Sequence, residues 1–310
     1  MSYFYGPVPS RRLGFSLGVS VTPKKACTLD CIYCQLGKTT KKTIKRFFYV
    51  DIVELKKELA KIIAGCPKID YISISGSGEP TLHKRLDKII TAIKSVTNNK
   101  YPVAVITNSS LLYQKEVRQE LKDADLIVPS LDAATKKTFC LIDRPHKQIT
   151  FQKIISSLID LRKEFKGKIW LEIMLLGGIN DSLKEARKFK KLVNKINPDK
   201  IQLNLPVRPA GVDIALPDYA RVKKIKKIIG KKCEIVSSFY KETQKKFSQS
   251  AQEDIIKYLN IRPATIKDLE KSVGLKRNVL ARQIEKMLDL GIIMKRMYNR
   301  KVYFVCDRAV

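Results

Sequence analysis

The sequence predicts an α/β fold, a mostly parallel sheet rolled into a full or partial barrel, with a small second unit after it. Three observations carry this. Apolar runs of strand character alternate with helical periodicity as far as about residue 236. The chain has 310 residues, more than a single hydrophobic core usually serves. Beyond residue 250 the pattern changes to helix, glycine-containing turn, longer helix and hairpin.

Taken in order, "SLGVSVTP" reads as the first strand and runs straight into "KKACTLDCIYCQLGKTT". "DIVELKKELAKIIA" places apolar residues at helical spacing, and "DYISIS" follows as a short strand. "LDKIITAIKSV", "KEVRQELKD", "QKIISSLIDLRKEF", "LKEARKFKKLVNKI" and "YARVKKIKKII" read as helices. "VAVIT", "LIVPSLDA", "IWLEIMLL", "KIQLNLP" and "KCEIV" are the strands that alternate with them. In such an architecture the chemistry gathers at the C-terminal ends of the strands. Residues 1–237 read as this α/β domain, and 238–250, within a polar run, as a linker. Residues 251–310 make the second unit. There "EDIIKYLN" is a helix, Gly274 marks a turn between two more, and "IIMKRMYNRKVYFV" is a hairpin around "YNR". Helix-turn-helix followed by a hairpin resembles a winged helix.

Sixty-one Lys and Arg against thirty Asp and Glu give a net charge of +31, most of the excess lying before residue 251. Such a field favours polyanions, nucleic acid above all, although a solvated basic surface gives the same count. No apolar run approaches the roughly 20 residues that span a bilayer, so no membrane partner is expected. The opening "MSYFYGPVPSRRLG" lacks the order of a secretory signal, which points to the cytoplasm and to reduced thiols.

Cys27, Cys31 and Cys34 fall within eight residues of a chain with seven cysteines. Structural zinc wants four ligands, usually as two close pairs, and no second pair exists here. Cys66, Cys140, Cys233 and Cys306 are scattered singly, and neither His83 nor His146 sits in a ligand-like pair. A four-cysteine electron-transfer cluster also lacks its fourth thiolate. Three thiolates can hold three irons of a [4Fe–4S] cubane and leave the fourth iron open, as a catalytic centre requires.

The spacing CxxxCxxC, with Tyr33 just before the last cysteine, resembles the signature of the radical S-adenosylmethionine (SAM) superfamily. The resemblance implies a partial (β/α)6-type barrel and two cofactors, the [4Fe–4S] cluster on Cys27, Cys31 and Cys34, and SAM. It implies reductive cleavage of SAM to a 5′-deoxyadenosyl radical that abstracts hydrogen, with an electron donor such as ferredoxin or flavodoxin. No catalytic side chain is expected beyond the cluster and the SAM site.

"SISGSGEPTLH" resembles the superfamily's Gly-Gly-Glu motif, and places Gly76, Ser77, Gly78 and Glu79 at the SAM ammonium. Glycines there let the backbone approach a ligand; the plainer reading is a strand-to-helix turn begun by Glu79 and Pro80. Asn108, Ser130 and Asp132, at the ends of two further strands, resemble the ribose and carboxylate contacts, or cap the helices that follow. Glu172, Asn204 and Arg208 are substrate or SAM candidates because alternate strand residues face the lumen, where polar groups need a purpose. Arg11 and Arg12 stand near the open mouth. These runs resemble a branch loosely grouped with wyosine-synthesis enzymes of transfer RNA, though no second cysteine triplet is present.

On the second unit, Lys276, Arg277, Asn278, Arg282, Lys286, Arg296, Arg300 and Lys301 are candidate phosphate contacts. After the cysteines, Lys38, Lys41, Lys42, Lys45 and Arg46 lie beside Phe47, Phe48 and Tyr49, a pattern that can clamp and stack a strand. The expected function is therefore a radical SAM enzyme of RNA, transfer RNA in particular. A protein or small-metabolite substrate, and a cluster-based winged-helix transcription regulator, are the alternatives.

Overall fold

The computed structural model describes residues 2–65, 68–210, 212–236, 251–275 and 277–306. The expected linker at 238–250, Cys66 and Lys276 lie outside the described residues, as does the side chain of Asn278. The chain opens with β1 (Phe4–Ser10), β2 (Gly14–Ser20), β3 (Ala26–Cys27), β4 (Lys41–Lys42), α1 (Ile52–Gly65), β5 (Tyr71–Ser75) and α2 (Leu86–Val96). It continues through β6 (Val103–Thr107), α3 (Lys115–Glu120), β7 (Leu126–Pro129), α4 (Lys136–Asp143) and α5 (Phe151–Glu164). Then come β8 (Lys168–Met174), α6 (Leu183–Ile196), β9 (Lys200–Asn204), α7 (Tyr219–Ile229) and β10 (Cys233–Ile235).

One eight-stranded sheet runs in the order β1-β2-β5-β6-β7-β8-β9-β10. All neighbours from β2 onward are parallel, joined by six helical crossovers, so the expected α/β architecture is the one observed. Period-two alternation divides the residues between two faces. Leu17, Ile72, Ile74, Val103, Val105, Leu171, Ile173 and Leu203 join the large core beneath the helices. On the other face Leu13 packs with Ala104, Leu126 and Val128. Ser16 and Ser73 hydrogen-bond there at 2.8 Å, and Glu172 and Asn204 occupy alternate positions on β8 and β9.

Besides the two-residue strands β3 and β4 inside the cysteine loop, β1 and α4 were not expected. β1 pairs antiparallel with β2, despite Pro7 and Pro9, because an edge strand leaves those positions free of ladder bonds. α4 is short, and only Phe139, Ile142 and Asp143 are buried in it, too few positions for a helical period to show in the sequence.

The last part forms α8 (Ala251–Ile261), α9 (Ile266–Val273), α10 (Arg277–Asp289) and an antiparallel pair, β11 (Ile293–Tyr298) and β12 (Lys301–Cys306). Thr265 and Asp268 make a reciprocal capping box at the start of α9, and Gly274, at φ +73°, ends it in the left-handed conformation. Asn299 and Arg300, both at positive φ, turn the hairpin. A separate core of Ile255, Leu259, Leu269, Leu280, Ile284, Met287 and Phe304 holds these elements together and takes in Val8 from β1. Among the described residues no helix is long and apolar enough to cross a membrane.

Candidate active site

The cysteine loop connects β2 to α1 at the C-terminal end of the sheet. Cys27 ends β3, and Thr43 N donates to its carbonyl at 2.9 Å as β4 folds alongside. Successive turns, Cys34 N to Cys31 O at 3.0 Å and Gly37 N to Cys34 O at 2.9 Å, wind the rest of the loop. The end of α4 anchors it: Asp30 N and Ile32 N donate to the carbonyls of Asp143 and Ile142, both at 2.9 Å. The unexpected helix thus positions the cysteines.

All three thiols are free and half-buried, and they line one cavity of about 340 Å³. Lys25 Nζ donates to Cys34 Sγ at 3.2 Å and Asn108 Nδ2 to Cys27 Sγ at 3.4 Å, while the Cys31 thiol donates to Asp143 Oδ1 at 3.3 Å. Burial pushes the Cys27 thiol up to about 12, and burial with the neighbouring Asp143 raises Cys31 well above the ordinary range. Deprotonation therefore needs a cation in the proton's place. Among the described residues no three Cys, His, Asp or Glu side chains are grouped to hold a single metal ion. What the thiols line is a larger space. Three thiols without a fourth among the described residues, with nitrogen donors on two sulfurs, fit a three-cysteine [4Fe–4S] cluster.

The turn after β5 forms the next wall. Gly76 and Gly78 line the cavity, but their lack of Cβ answers first to the chain itself. A Cβ on Gly76, at φ +139°, would meet Ser20 Oγ at 2.6 Å; one on Gly78 would overlap the Ala26 carbonyl and meet Thr22 Oγ1 at 2.7 Å. Ser77 lies behind the wall, its carbonyl accepting Lys25 N at 2.6 Å. Glu79, 3% exposed, begins the 3-10 turn Pro80–Leu82, as the plainer reading of this stretch has it. Its Oε1 accepts Thr81 N at 3.1 Å and the hydroxyls of Thr81 and Thr107, both at 2.6 Å. Among the described residues Oε2 accepts Asn108 N alone, at 2.9 Å, and so has room for one more donor. Burial raises the Glu79 pKa and these hydrogen bonds oppose the rise.

Asn108 reaches the cavity and donates to Thr28 Oγ1 at 3.0 Å besides Cys27. Ser130 ends β7 with its N–H on Thr107 O at 3.0 Å and does not line the cavity. Asp132 does not line it either. Its Oδ1 accepts Met174 N at 2.7 Å and its Oδ2 takes the Tyr33 hydroxyl, so it orients the tyrosine beside the last cysteine rather than facing a ligand. Burial pushes the Asp132 carboxyl up to about 6.

Arg11 and Arg12, in the β1–β2 turn, and Glu172, Asn204 and Arg208 all line the same cavity. Arg12 and Glu172 form an ion pair. Sequence reasoning missed Lys25 and Arg262, which also line it. Lys25 stands two residues before Cys27, a usable clue. Arg262 follows α8, and nothing local separates it from sixty other basic residues. The basic and aromatic run after the cysteines divides. Arg46 donates to Thr81 O and His83 O, both at 2.8 Å, and pairs with Glu120, which removes it from any clamp. Phe47 and Phe48 are exposed, with Lys41 and Lys84 over their rings at 5.7 and 5.8 Å.

A family model described as the radical SAM superfamily matches residues 21–189. A protein named GTPase Obg from Brachyspira hyodysenteriae is 41% identical over 95% of this chain and 44% of its own length. A UPF0026 protein of Methanocaldococcus jannaschii is 34% identical over 98% of this chain and 96% of its own. The chain thus spans less than half of the first relative and almost all of the second. More distantly, a probable dual-specificity RNA methyltransferase RlmN of Thermotoga petrophila is 23% identical over 67% of this chain and 60% of its own. Among solved structures, a radical SAM methyltransferase from Sphaerobacter thermophilus shares the fold, with a TM-score of 0.55, 16% identity, and coverage of 71% and 65%. With its three-thiol cavity at the strand ends, the chain belongs to the radical SAM superfamily and, within it, to the UPF0026 proteins.

Proposed function

We propose that this radical SAM enzyme modifies RNA, with residues 1–237 as its catalytic domain and 251–310 as a winged helix that helps to hold the nucleic acid. The observation that carries the reading is a single cavity that joins three half-buried thiols to Arg11, Arg208 and Arg262, which form no ion pair among the described residues. The charge of +31 supports a polyanionic substrate, as do Arg277, Arg282, Lys286, Arg300 and Lys301, all exposed on the second unit. So does the distant likeness to an RNA methyltransferase.

When bound, the family's [4Fe–4S] cluster and SAM supply a one-electron cleavage of the sulfonium that yields a hydrogen-abstracting 5′-deoxyadenosyl radical. In this reading Cys27, Cys31 and Cys34 hold the cluster, and Lys25 and Asn108 place positive charge and an amide N–H at two of the sulfurs. Tyr33, fixed by Asp132, closes one side of the cavity. The turn at Gly76, Gly78 and Glu79 would hold SAM, and Glu79 Oε2 would have an acceptor to offer its ammonium. Ser130 and Asp132 support this shell from behind. These residues bind, orient and exclude water; none moves a proton in the radical step. An external donor such as ferredoxin or flavodoxin supplies the electron, and the cytoplasm supplies the reducing setting.

Anaerobic reconstitution followed by dithionite should release 5′-deoxyadenosine from SAM, and Cys31→Ala should abolish that release while the circular dichroism spectrum is kept. Product formed by the variant at the parent rate would contradict the cluster assignment. Crosslinking to cellular RNA tests the substrate: no recovery above background at low salt rejects RNA.

A further inference from the structure

Five cationic side chains reach the cavity: Arg11, Arg12, Lys25, Arg208 and Arg262. Two already have partners there. Arg12 is paired with Glu172, and Lys25 donates to Cys34 Sγ and, at 2.5 Å, to Gly37 O. Among the described residues no carboxylate forms an ion pair with Arg11, Arg208 or Arg262. Arg262 Nη2 is buried and, among the described residues, has no hydrogen-bond partner. A buried guanidinium donor left unmatched is costly, and three like charges in one recess add mutual repulsion. Burial and the neighbouring arginines lower Arg11 to about 10 and lower Arg208 as well. The side chains are nonetheless held in place. Arg208 Nε donates to Pro263 O at 3.1 Å, and the Arg262 guanidinium lies 4.7 Å over the Tyr258 ring.

We infer that Arg11, Arg208 and Arg262 form a phosphate site that holds a phosphate group of the substrate over the thiol-lined cavity, with Arg262 lent by the C-terminal unit. The inference rests on the function proposed above and adds to it the group by which the substrate is gripped. Three guanidinium groups exceed what one carboxylate can accept, whereas a phosphate offers several anionic acceptors to their planar forks. A second groove of about 500 Å³ shares Gln35 with the cavity. Lys24, Lys295 and Arg296 line it without a carboxylate, a path for further phosphates of the same strand. Both units meet at this point: Tyr298 and Tyr303 donate to the carbonyls of Pro206 and Val207, each at 2.8 Å, just ahead of Arg208. A substrate phosphate here bridges the β1–β2 turn, the loop after β9 and the C-terminal unit.

The test uses the full chain under anaerobic conditions and three probes: a labelled single-stranded RNA oligonucleotide, GTP and inorganic phosphate. Arg262→Gln and Arg11→Gln should each weaken binding of the probe roughly tenfold or more and flatten its salt dependence. Iron content and SAM binding by equilibrium dialysis should stay at parent values, and the unfolding midpoint should not fall, since each variant relieves the repulsion among the three arginines. Arg262→Lys, which keeps the charge, should recover part of the affinity. Binding of RNA by this criterion assigns the phosphate to a strand, and binding of GTP alone assigns it to a free nucleotide. Affinities for all probes that are equal in parent and variants overturn the site, as does a parent that binds none of them. Loss of SAM binding in the variants, with phosphate binding intact, overturns it in favour of the SAM carboxylate. Phosphate binding by the site in a protein that yields no 5′-deoxyadenosine would refute the enzymatic reading and leave the site standing.

Discussion

His83 shows how a residue can be notable for chemistry and serve packing instead. It is 2% exposed and sits 6.2 to 6.4 Å from the rings of Tyr49 and Phe48. Burial lowers its pKa to about 4, against the opposing backbone contact with Lys84 and the charge of Glu120, with Arg46 adding slightly to the fall. The folded state therefore holds His83 neutral, while the unfolded chain takes up a proton below its ordinary value of 6.5. Stability from this residue is complete above pH 6.5, falls as pH drops, and levels off near pH 4. His83→Leu should show a smaller loss than the parent between pH 7 and 4.5 in urea unfolding midpoints. Equal losses in both proteins would show that the ring is protonated in the folded state. Glu79 is the opposite case. Its four hydrogen bonds tie the ends of β5 and β6 together, and one acceptor position on Oε2 is left for function.

At the scale of elements, the site depends on a contact between two connections. The turn after β5 packs against the start of the cysteine loop so closely that Glu79 N bonds Ala26 O at 3.0 Å and Lys25 N bonds Ser77 O at 2.6 Å. Gly78 lies at the centre of this contact, and a methyl group there meets backbone, which cannot yield without moving β3. Gly78→Ala should thus lower iron incorporation well below that of the parent while far-ultraviolet circular dichroism stays unchanged. Gly65→Ala is the matched control, because a Cβ at Gly65 meets nothing within 4 Å. Full iron loading of Gly78→Ala would mean that the cysteine loop tolerates the displacement. α4 matters for the same reason: its last carbonyls receive Asp30 N and Ile32 N, so the cysteine geometry is partly set more than 100 residues away.

On the scale of the whole molecule, the C-terminal unit is attached to the sheet by its edge. Val8 of β1, 5% exposed, belongs to the core of α8, α9 and α10, and Tyr5 packs against it from the same strand. The tyrosine hydroxyls on residues 206 and 207 and the Arg208–Pro263 bond complete the attachment. A charge at position 8 would be buried without a partner, which is costly. Val8→Asp should release the C-terminal unit as a fragment in brief proteolysis while the larger part stays resistant and helical. A parent-like digestion pattern would show that the polar contacts alone keep the units together. With the arginine site proposed above, the same substitution also separates Arg262 from Arg11 and Arg208.

Much of this was legible in one dimension. The spacing of Cys27, Cys31 and Cys34 pointed to a cluster because ligand number and spacing are local properties of the chain, and the structure brings the three thiols to one cavity. The alternation of period-two and period-3.6 runs placed the parallel strands, since each run needs only its own residues to show its periodicity. β1 stayed hidden because its prolines are tolerable only at a sheet edge, and the edge is defined by other strands. Tertiary structure also decided what Asp132, Arg46 and the glycines at 76 and 78 do, because each answers to a partner far along the sequence. Arg262 is the clearest instance: by composition it is one basic residue among 61, and it becomes distinctive only when folding half-buries it beside two other arginines, with Nη2 buried and, among the described residues, without a hydrogen bond. Charge can be counted from a sequence. Desolvation and the presence or absence of a counter-charge exist only once distant segments are brought together.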